Sequence, residues 1–261
     1  MDENNFNLSY RRKMLYKRKR RRQFIITSTI SILLIFPIIL TIMSTMKNNN
    51  KFVATIYKSN VATEDPTFKV CIDAGHGDWD AGTIGISGIK EKDVDLSIAL
   101  KLGSLLKDEG IKVMYTRTTD SQNGIQTAND SLIERLKISK VSNSDIFISI
   151  HCNSNFDSKD SRGVETWYNP ESEEGAQLAT SLQNELAKLS YTPDRGVKYY
   201  QSKDDALAVL EKNTAPSALV ELGFLSNIED EYYLNSEVGQ NACAKALFDG
   251  IINYKNSLSD N

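Results

Sequence analysis

The chain contains only two histidines, His76 and His151, among its 261 residues. Cysteine is nearly as rare, limited to Cys71, Cys152 and Cys243. No two of these form a C-x-x-C pair, so a thiolate zinc site has no framework, and an odd number of thiols suggests no disulfide scaffold. All three sit in apolar stretches and read as small core residues. There is no internal repeat and no low-complexity block, and a composition with 40% hydrophobic and 25% charged residues excludes a disordered or collagen-like chain. An excess of basic charge is missing from most of the sequence. Nine of the 31 Lys/Arg and two of the 34 Asp/Glu fall within residues 1–22, so the rest holds 22 bases against 32 acids, a net charge of −10. A nucleic-acid binder concentrates positive charge on its folded part, so this charge distribution argues against a nucleic-acid partner.

The long apolar run is confined to one place. Residues 24–43 read FIITSTISILLIFPIILTIM and contain no charged residue. At ~1.5 Å rise per residue such a helix covers roughly the hydrocarbon core of a bilayer. The basic run precedes it, which predicts a cytoplasmic N-terminus and an exported remainder. A cleaved signal peptide fits less well, because its apolar region is shorter, about 7–15 residues, and ends in a small-x-small site. Thr41-Ile42-Met43-Ser44 is a poor one. The expected organisation is a basic cytoplasmic segment over 1–23, a transmembrane signal anchor over 24–43, a polar linker over 44–67, one folded domain over 68–256 and a short tail over 257–261. The expected location is the cytoplasmic membrane, single-pass, with the folded domain outside.

Within 68–256, strand and helix patterns alternate. Strands are expected at Lys69–Asp73, Lys112–Thr116, Asp145–His151, Gly163–Tyr168, Ala206–Leu210 and Ala218–Leu222. Helices are expected at Lys92–Asp108, at Ser131–Val141 with Asn129 or Asp130 as cap, at Glu173–Leu189 and at Glu237–Tyr254. This pattern implies an α/β fold with a mainly parallel sheet covered by helices on both faces. Ligands bind at the carboxyl ends of strands in such sheets.

Both histidines fall at such ends. His76 follows KVCIDAG, with Gly75 and Gly77 allowing the backbone to bend, and His151 closes DIFISI. Glu91 begins the helix after the His76 loop. A carboxylate there suits a helix N-terminus, and it also suits a two-histidine, one-carboxylate metal set with a fourth position left for water. Asp73, Asp78, Asp80, Asp93 and Asp95 are local competitors, and position alone does not choose among them. Glu221 ends an apolar strand in SALVELGFLSN. A carboxylate there is costly unless paired or functional, and burial would raise its pKa toward that of a general base.

DAGHG at 73–77, KEKDV at 90–94, SIHCN at 149–153 and VELGFLSN at 220–227 occur in order. Together they resemble the zinc-dependent N-acetylmuramoyl-L-alanine amidases of the type-3 amidase family. TRTTD at 116–120, Glu134-Arg135 and Arg195-Gly196-Val197-Lys198 extend the resemblance over nearly all of 68–256. The resemblance implies a mixed sheet of about six strands. It also implies zinc ligands at His76, Glu91 and His151, with a catalytic glutamate at Glu221, which selects Glu91 over its neighbours. Asn153 and Arg195 are candidate cleft residues. Cys152, where such enzymes often carry a small residue, should point away from His151.

The activity implied is hydrolysis of the bond between N-acetylmuramic acid and the L-alanine of the stem peptide, with peptidoglycan as substrate and one Zn2+ as cofactor. Cell separation and sporulation are settings in which such enzymes act, and a protein activator is a further candidate partner. Some family members carry an inserted helix that blocks the zinc. Cys152–Gly163 is too short for one and Asn169–Gly175 is the less clear region, so the expectation is a site without built-in occlusion. Two alternatives are a zinc carboxypeptidase acting on stem peptides and a non-catalytic wall-binding module.

Overall fold

The computed structural model describes residues 68–121 and 125–259. The basic segment, the signal anchor and the linker expected over 1–67 lie outside them. Among the described residues no helix is long and apolar enough to cross a membrane.

Six strands form one sheet: β1 (Lys69–Ala74), β2 (Lys112–Tyr115), β3 (Ile146–Asn153), β4 (Val164–Tyr168), β5 (Asp194–Tyr199) and β6 (Ser217–Phe224), in the spatial order β2-β1-β3-β6-β4-β5. Every neighbouring pair is parallel except β4 with β6. The helices are α1 (Glu91–Asp108), α2 (Ala128–Ser142), α3 (Glu173–Lys188), α4 (Ala208–Glu211), α5 (Ile228–Leu234) and α6 (Glu237–Ser259). The expected α/β class and mainly parallel, helix-flanked sheet are therefore present.

Strand alternation divides the core in two. Val70, Ile72, Ile146, Ile148, Ile150, Ala218, Val220 and Leu222 face the side covered by Ile98, Leu102 and Leu106 of α1, Leu178 and Leu182 of α3 and Leu247 and Ile251 of α6. Each fully buried side chain of this kind contributes about 1.5–3 kcal/mol, so this is the dominant core. The opposite face carries a smaller cluster, Cys71, Phe147 and Leu219, with Leu132 and Ile138 of α2 and Val209 and Leu210 of α4. Toward the carboxyl ends of β1, β3 and β6 this second face becomes polar, because Asp73, Ser149, His151 and Glu221 stand on it, with Glu165 beside them near the start of the antiparallel β4. The larger core supplies the stability, and the thinner cover on the other face leaves that row available for chemistry. All three cysteines are buried free thiols, as expected.

Several element expectations are corrected. Ala206–Leu210 is not a strand: Ala208–Glu211 makes one helical turn, and its Val209 and Leu210 cap the smaller core. A short apolar run cannot be assigned to strand or helix by periodicity. The sixth strand is β5, an edge strand whose polar sequence DRGVKY shows no apolar alternation. Helix α5 was not expected; its N-cap Asn227 accepts from the backbone N–H groups of Glu229 and Asp230. The cap of α2 is Thr127, whose side chain accepts from the Asp130 N–H at 3.1 Å, rather than Asn129 or Asp130.

Candidate metal centre

His76 leaves β1 in a left-handed conformation, φ 58°, and Asp78 follows with φ 55°. Non-glycine residues rarely adopt this region, and the surrounding contacts hold it. Arg117 donates from Nη2 to the Gly75 carbonyl at 2.6 Å and to the Lys92 carbonyl at 2.8 Å, and from Nε to the Ala74 carbonyl at 3.1 Å. The Lys92 Nζ donates to the Asp78 carbonyl and to Asp120, each at 2.7 Å. The start of α1 is thereby fastened to the His76 loop, and Glu91 is carried over the carboxyl ends of β1 and β3.

The three expected ligands converge. Glu91 Oε1 lies 3.1 Å from His76 Nε2 and 3.1 Å from His151 Nδ1. The two rings meet edge to face with centroids 4.9 Å apart. Metal–ligand bonds of ~2.0–2.1 Å at tetrahedral angles place ligand atoms about 3.3 Å from one another, so this spacing matches a zinc-sized site. Glu91 is further held by the Thr83 N–H on Oε2 at 2.8 Å and the Cys152 N–H on Oε1 at 3.1 Å. Burial raises its pKa, but the hydrogen bonds of His151 and His76 outweigh that and keep the carboxyl well below its usual range. For His151 burial is the largest influence and lowers the pKa. Burial also presses on His76, yet Glu91 and Asp80 outweigh it and raise that ring.

Two glycines make the convergence possible. A Cβ on Gly75 would lie 2.4 Å from the His151 ring, and one on Gly82 would lie 2.6 Å from Glu91 Oε2 and 2.7 Å from His76. The role of Gly82 was not read from the sequence, where a lone glycine in a loop carries no distinguishing signal. Asp80 was also missed in its actual role: its Oδ2 is 2.8 Å from His76 Nδ1. Such a carboxylate fixes the tautomer and leaves the other nitrogen for a metal.

Among the competing acids, Asp95 is the one that joins the cluster. Its ligand atom lies within 4.8 Å of those of His76, Glu91 and His151. It sits one turn beyond Glu91 on α1 and is fully buried, with Oδ1 contacted by the Cys152 thiol at 3.6 Å. Burial, followed by the charges of Glu91 and Glu221, pushes its carboxyl well up. Asp73 lies beneath the site instead: it accepts from both Arg135 and Ser149, and Arg135 Nη2 is 3.4 Å from His151 Nε2. Cys152 packs in the larger core, on the opposite strand face from His151 as alternation requires, and meets the centre only through Asp95.

Glu221 is the register partner of His151 on β6 and of Glu165 on β4. Its Oε2 is buried without a hydrogen-bond partner among the described residues. Burial, then the charges of Glu91 and Glu165, push its carboxyl well up. Asn153 donates to Glu165 Oε1 at 3.2 Å, and Arg195 donates to Glu165 Oε2 at 2.6 Å. Both candidate cleft residues therefore gather around the same carboxylate, one strand beyond Glu221. A cavity of about 660 Å3 opens on the opposite side of the centre, between the segment after β2 and α2, with Arg135 in its wall. Cys152–Gly163 contains no helix, and Asn169–Ser172 is a turn leading into the Ser172 cap of α3.

A sequence profile described as N-acetylmuramoyl-L-alanine amidase matches residues 70–253. N-acetylmuramoyl-L-alanine amidase LytC of Bacillus subtilis is 35% identical over 187 residues, covering 71% of this chain and 35% of LytC. The matched region thus spans about a third of that relative's length. Among solved structures, the catalytic domain of CwlV from Bacillus (Paenibacillus) polymyxa superimposes with a TM-score of 0.64 at 34% identity, covering 72% of this chain and 98% of that one. The CwlD amidase from Clostridioides difficile, solved in complex with the GerS lipoprotein, gives 0.65 at 32% identity, covering 73% and 99%.

Proposed function

The chain belongs to the N-acetylmuramoyl-L-alanine amidase family, and from that premise we propose that it hydrolyses the amide bond between N-acetylmuramic acid and L-alanine in peptidoglycan, using one zinc ion held by His76, Glu91 and His151. The observation that carries this reading is the approach of two imidazole nitrogens to Glu91 Oε1, each at 3.1 Å, beside the buried carboxylate of Glu221. Two nitrogens and one oxygen suit zinc. Zinc, when bound, supplies a lowered pKa for water and a positive charge near the developing oxyanion.

The chain's own groups do the rest. Asp80 holds the His76 Nδ1 side of the ring by a hydrogen bond and so turns Nε2 toward Glu91 and the metal position. The Thr83 and Cys152 N–H groups hold the Glu91 carboxylate in place. Glu221 takes the proton of the attacking water and returns it to the leaving nitrogen of L-alanine, a role its raised pKa favours. The absence of an inserted helix in 152–163 and 169–175 supports a centre open to substrate, with control exerted by location or a partner. We also assign residues 24–43 as the membrane anchor that places the domain beside the wall; their uncharged sequence behind nine basic residues supports this.

Incubating the purified full-length protein with muropeptides, with and without a chelator, tests the reaction. Metal-dependent release of the intact stem peptide from muramic acid, identified by mass spectrometry, is expected. Peptides trimmed from their carboxyl ends would replace this reading with a carboxypeptidase, and no cleavage by the zinc-loaded protein would replace it with a binding module. Protease added outside intact cells should remove the domain from a membrane-bound fragment.

A further inference from the structure

We propose that Arg195 forms a carboxylate-binding subsite that reads the stem peptide at the residue after L-alanine or the one following it. This rests on the amidase reading. The arrangement around Arg195 is built rather than incidental. Its stem crosses Gly163, where a Cβ would lie 2.5 Å from both Cγ and Cδ. Gly163 holds φ 127° there, so a side chain at that position is disfavoured on two grounds. The guanidinium carbon stands 5.0 Å from the centroid of the Phe224 ring. Nε donates to Glu165 Oε2 at 2.6 Å, and Nη1 reaches the Arg162 carbonyl at only 3.4 Å. Nη2 has no hydrogen-bond partner among the described residues, and the side chain is 40% exposed. Glu165 is buried and also accepts from Asn153 at 3.2 Å and Trp167 Nε1 at 3.0 Å. It therefore anchors the arginine from below and leaves the outer edge of the fork facing solvent. A planar fork fixed in this way matches a carboxylate.

Sheet geometry sets the distance. His151, Glu221 and Glu165 are register partners across β3, β6 and β4, and adjacent strands lie ~4.8 Å apart. The guanidinium bonded to Glu165 thus sits roughly one strand spacing beyond Glu221. An extended peptide advances ~3.3–3.6 Å per residue, so the fork meets the residue after L-alanine or the one following. Of the two halves of the substrate, the peptide carries ionised carboxylates and the N-acetylated glycan strand is neutral. The Arg195 end of the row therefore receives the peptide.

The test uses two muropeptides that differ only in whether the residue after L-alanine carries a free carboxylate or its amide, with the full-length protein and its R195Q variant. The wild type should favour the free acid in kcat/KM by about 10- to 100-fold, the range of a charge-assisted pair. Arg195→Gln should bring that ratio close to one, and Arg195→Lys, which keeps charge but loses the fork, should leave an intermediate ratio. Bound zinc is measured in each variant. Equal cleavage of both substrates by the wild type, or an unchanged preference in R195Q, overturns the subsite while the amidase reading stands. Failure of the wild type to cleave either substrate overturns the amidase reading itself. If R195Q does not fold, the R195K ratio decides, and a ratio equal to that of the wild type counts against the subsite.

Discussion

His151 and Glu221 are register partners on the adjacent parallel strands β3 and β6, so a candidate ligand and the candidate base stand on one face, one strand spacing apart. Neither residue depends on a flexible loop, because both are fixed by main-chain pairing. Removing the Glu221 carboxylate should therefore leave the metal ligands where they are. Glu221→Gln is expected to lower kcat by about 10²- to 10⁴-fold, the usual contribution of general acid–base catalysis, with zinc content unchanged. Metal analysis alongside steady-state rates checks this. A variant that retains most of its rate removes Glu221 from the mechanism.

Gly75 has a more specific role than bending the chain. Its missing Cβ is the space into which the His151 ring fits, since a methyl group would stand 2.4 Å from Cε1 and 2.6 Å from Nδ1. Gly75→Ala should push the ring off its ligating position and weaken zinc binding by about 10- to 100-fold, as loss of a supporting contact does at other metal sites. The fold itself should survive, because the larger core lies on the other face. Zinc titration against a competing chelator, with circular dichroism as the control for folding, separates these effects. Unaltered zinc affinity would falsify the packing argument.

The sequence revealed some of this more readily than the rest, for physical reasons. Strands β1, β3 and β6 are buried on both faces and read as nearly continuous apolar runs, so both histidines and Glu221 could be placed at strand ends. Strand β5 is a polar edge strand and α4 is one turn of apolar residues, so neither carries a periodic signal. Glu91 and Asp95 are four apart and share a face of α1, which is why local reasoning could not choose between them; only in the folded chain do their contacts differ. Glu91 accepts from two backbone N–H groups and approaches both histidines, whereas Asp95 Oδ2 is buried without a partner among the described residues. Asp80, Gly82 and Glu165 act through contacts that only the folded chain creates.

Metal and fold should be coupled. The proposed ligands, gathered from the loop after β1, from α1 and from β3, form a set only in the native state, so a bound zinc ion would stabilise that state by mass action, by ~4 kcal/mol when free zinc stands about a thousandfold above its Kd. Stripping zinc should lower the Tm of the wild type by several degrees, and restoring it should bring the Tm back. His76→Ala and His151→Ala should both lose activity and this zinc-dependent shift. A histidine variant that keeps the full shift would show that the ion binds elsewhere.

Acid should weaken the domain through Asp73, which is fully buried beneath the centre and paired with Arg135. Burial raises its pKa, but the Arg135 guanidinium and the Ser149 hydroxyl outweigh that and hold it at about 2, against 3.8 for the free side chain. A carboxyl depressed on folding contributes stability that is fully present above the unfolded pKa. That contribution is lost as pH falls from about 4 through about 2, and a shift of this size is worth ~2 kcal/mol. Asp73→Asn removes the titrating group and leaves Arg135 buried without its counter-charge, which should cost about 3–5 kcal/mol at neutral pH. The variant should therefore be less stable at pH 7 and lose less on acidification. Urea midpoints between pH 2 and pH 7 for both proteins give the comparison, and parallel declines would mean that another carboxylate governs the acid limb.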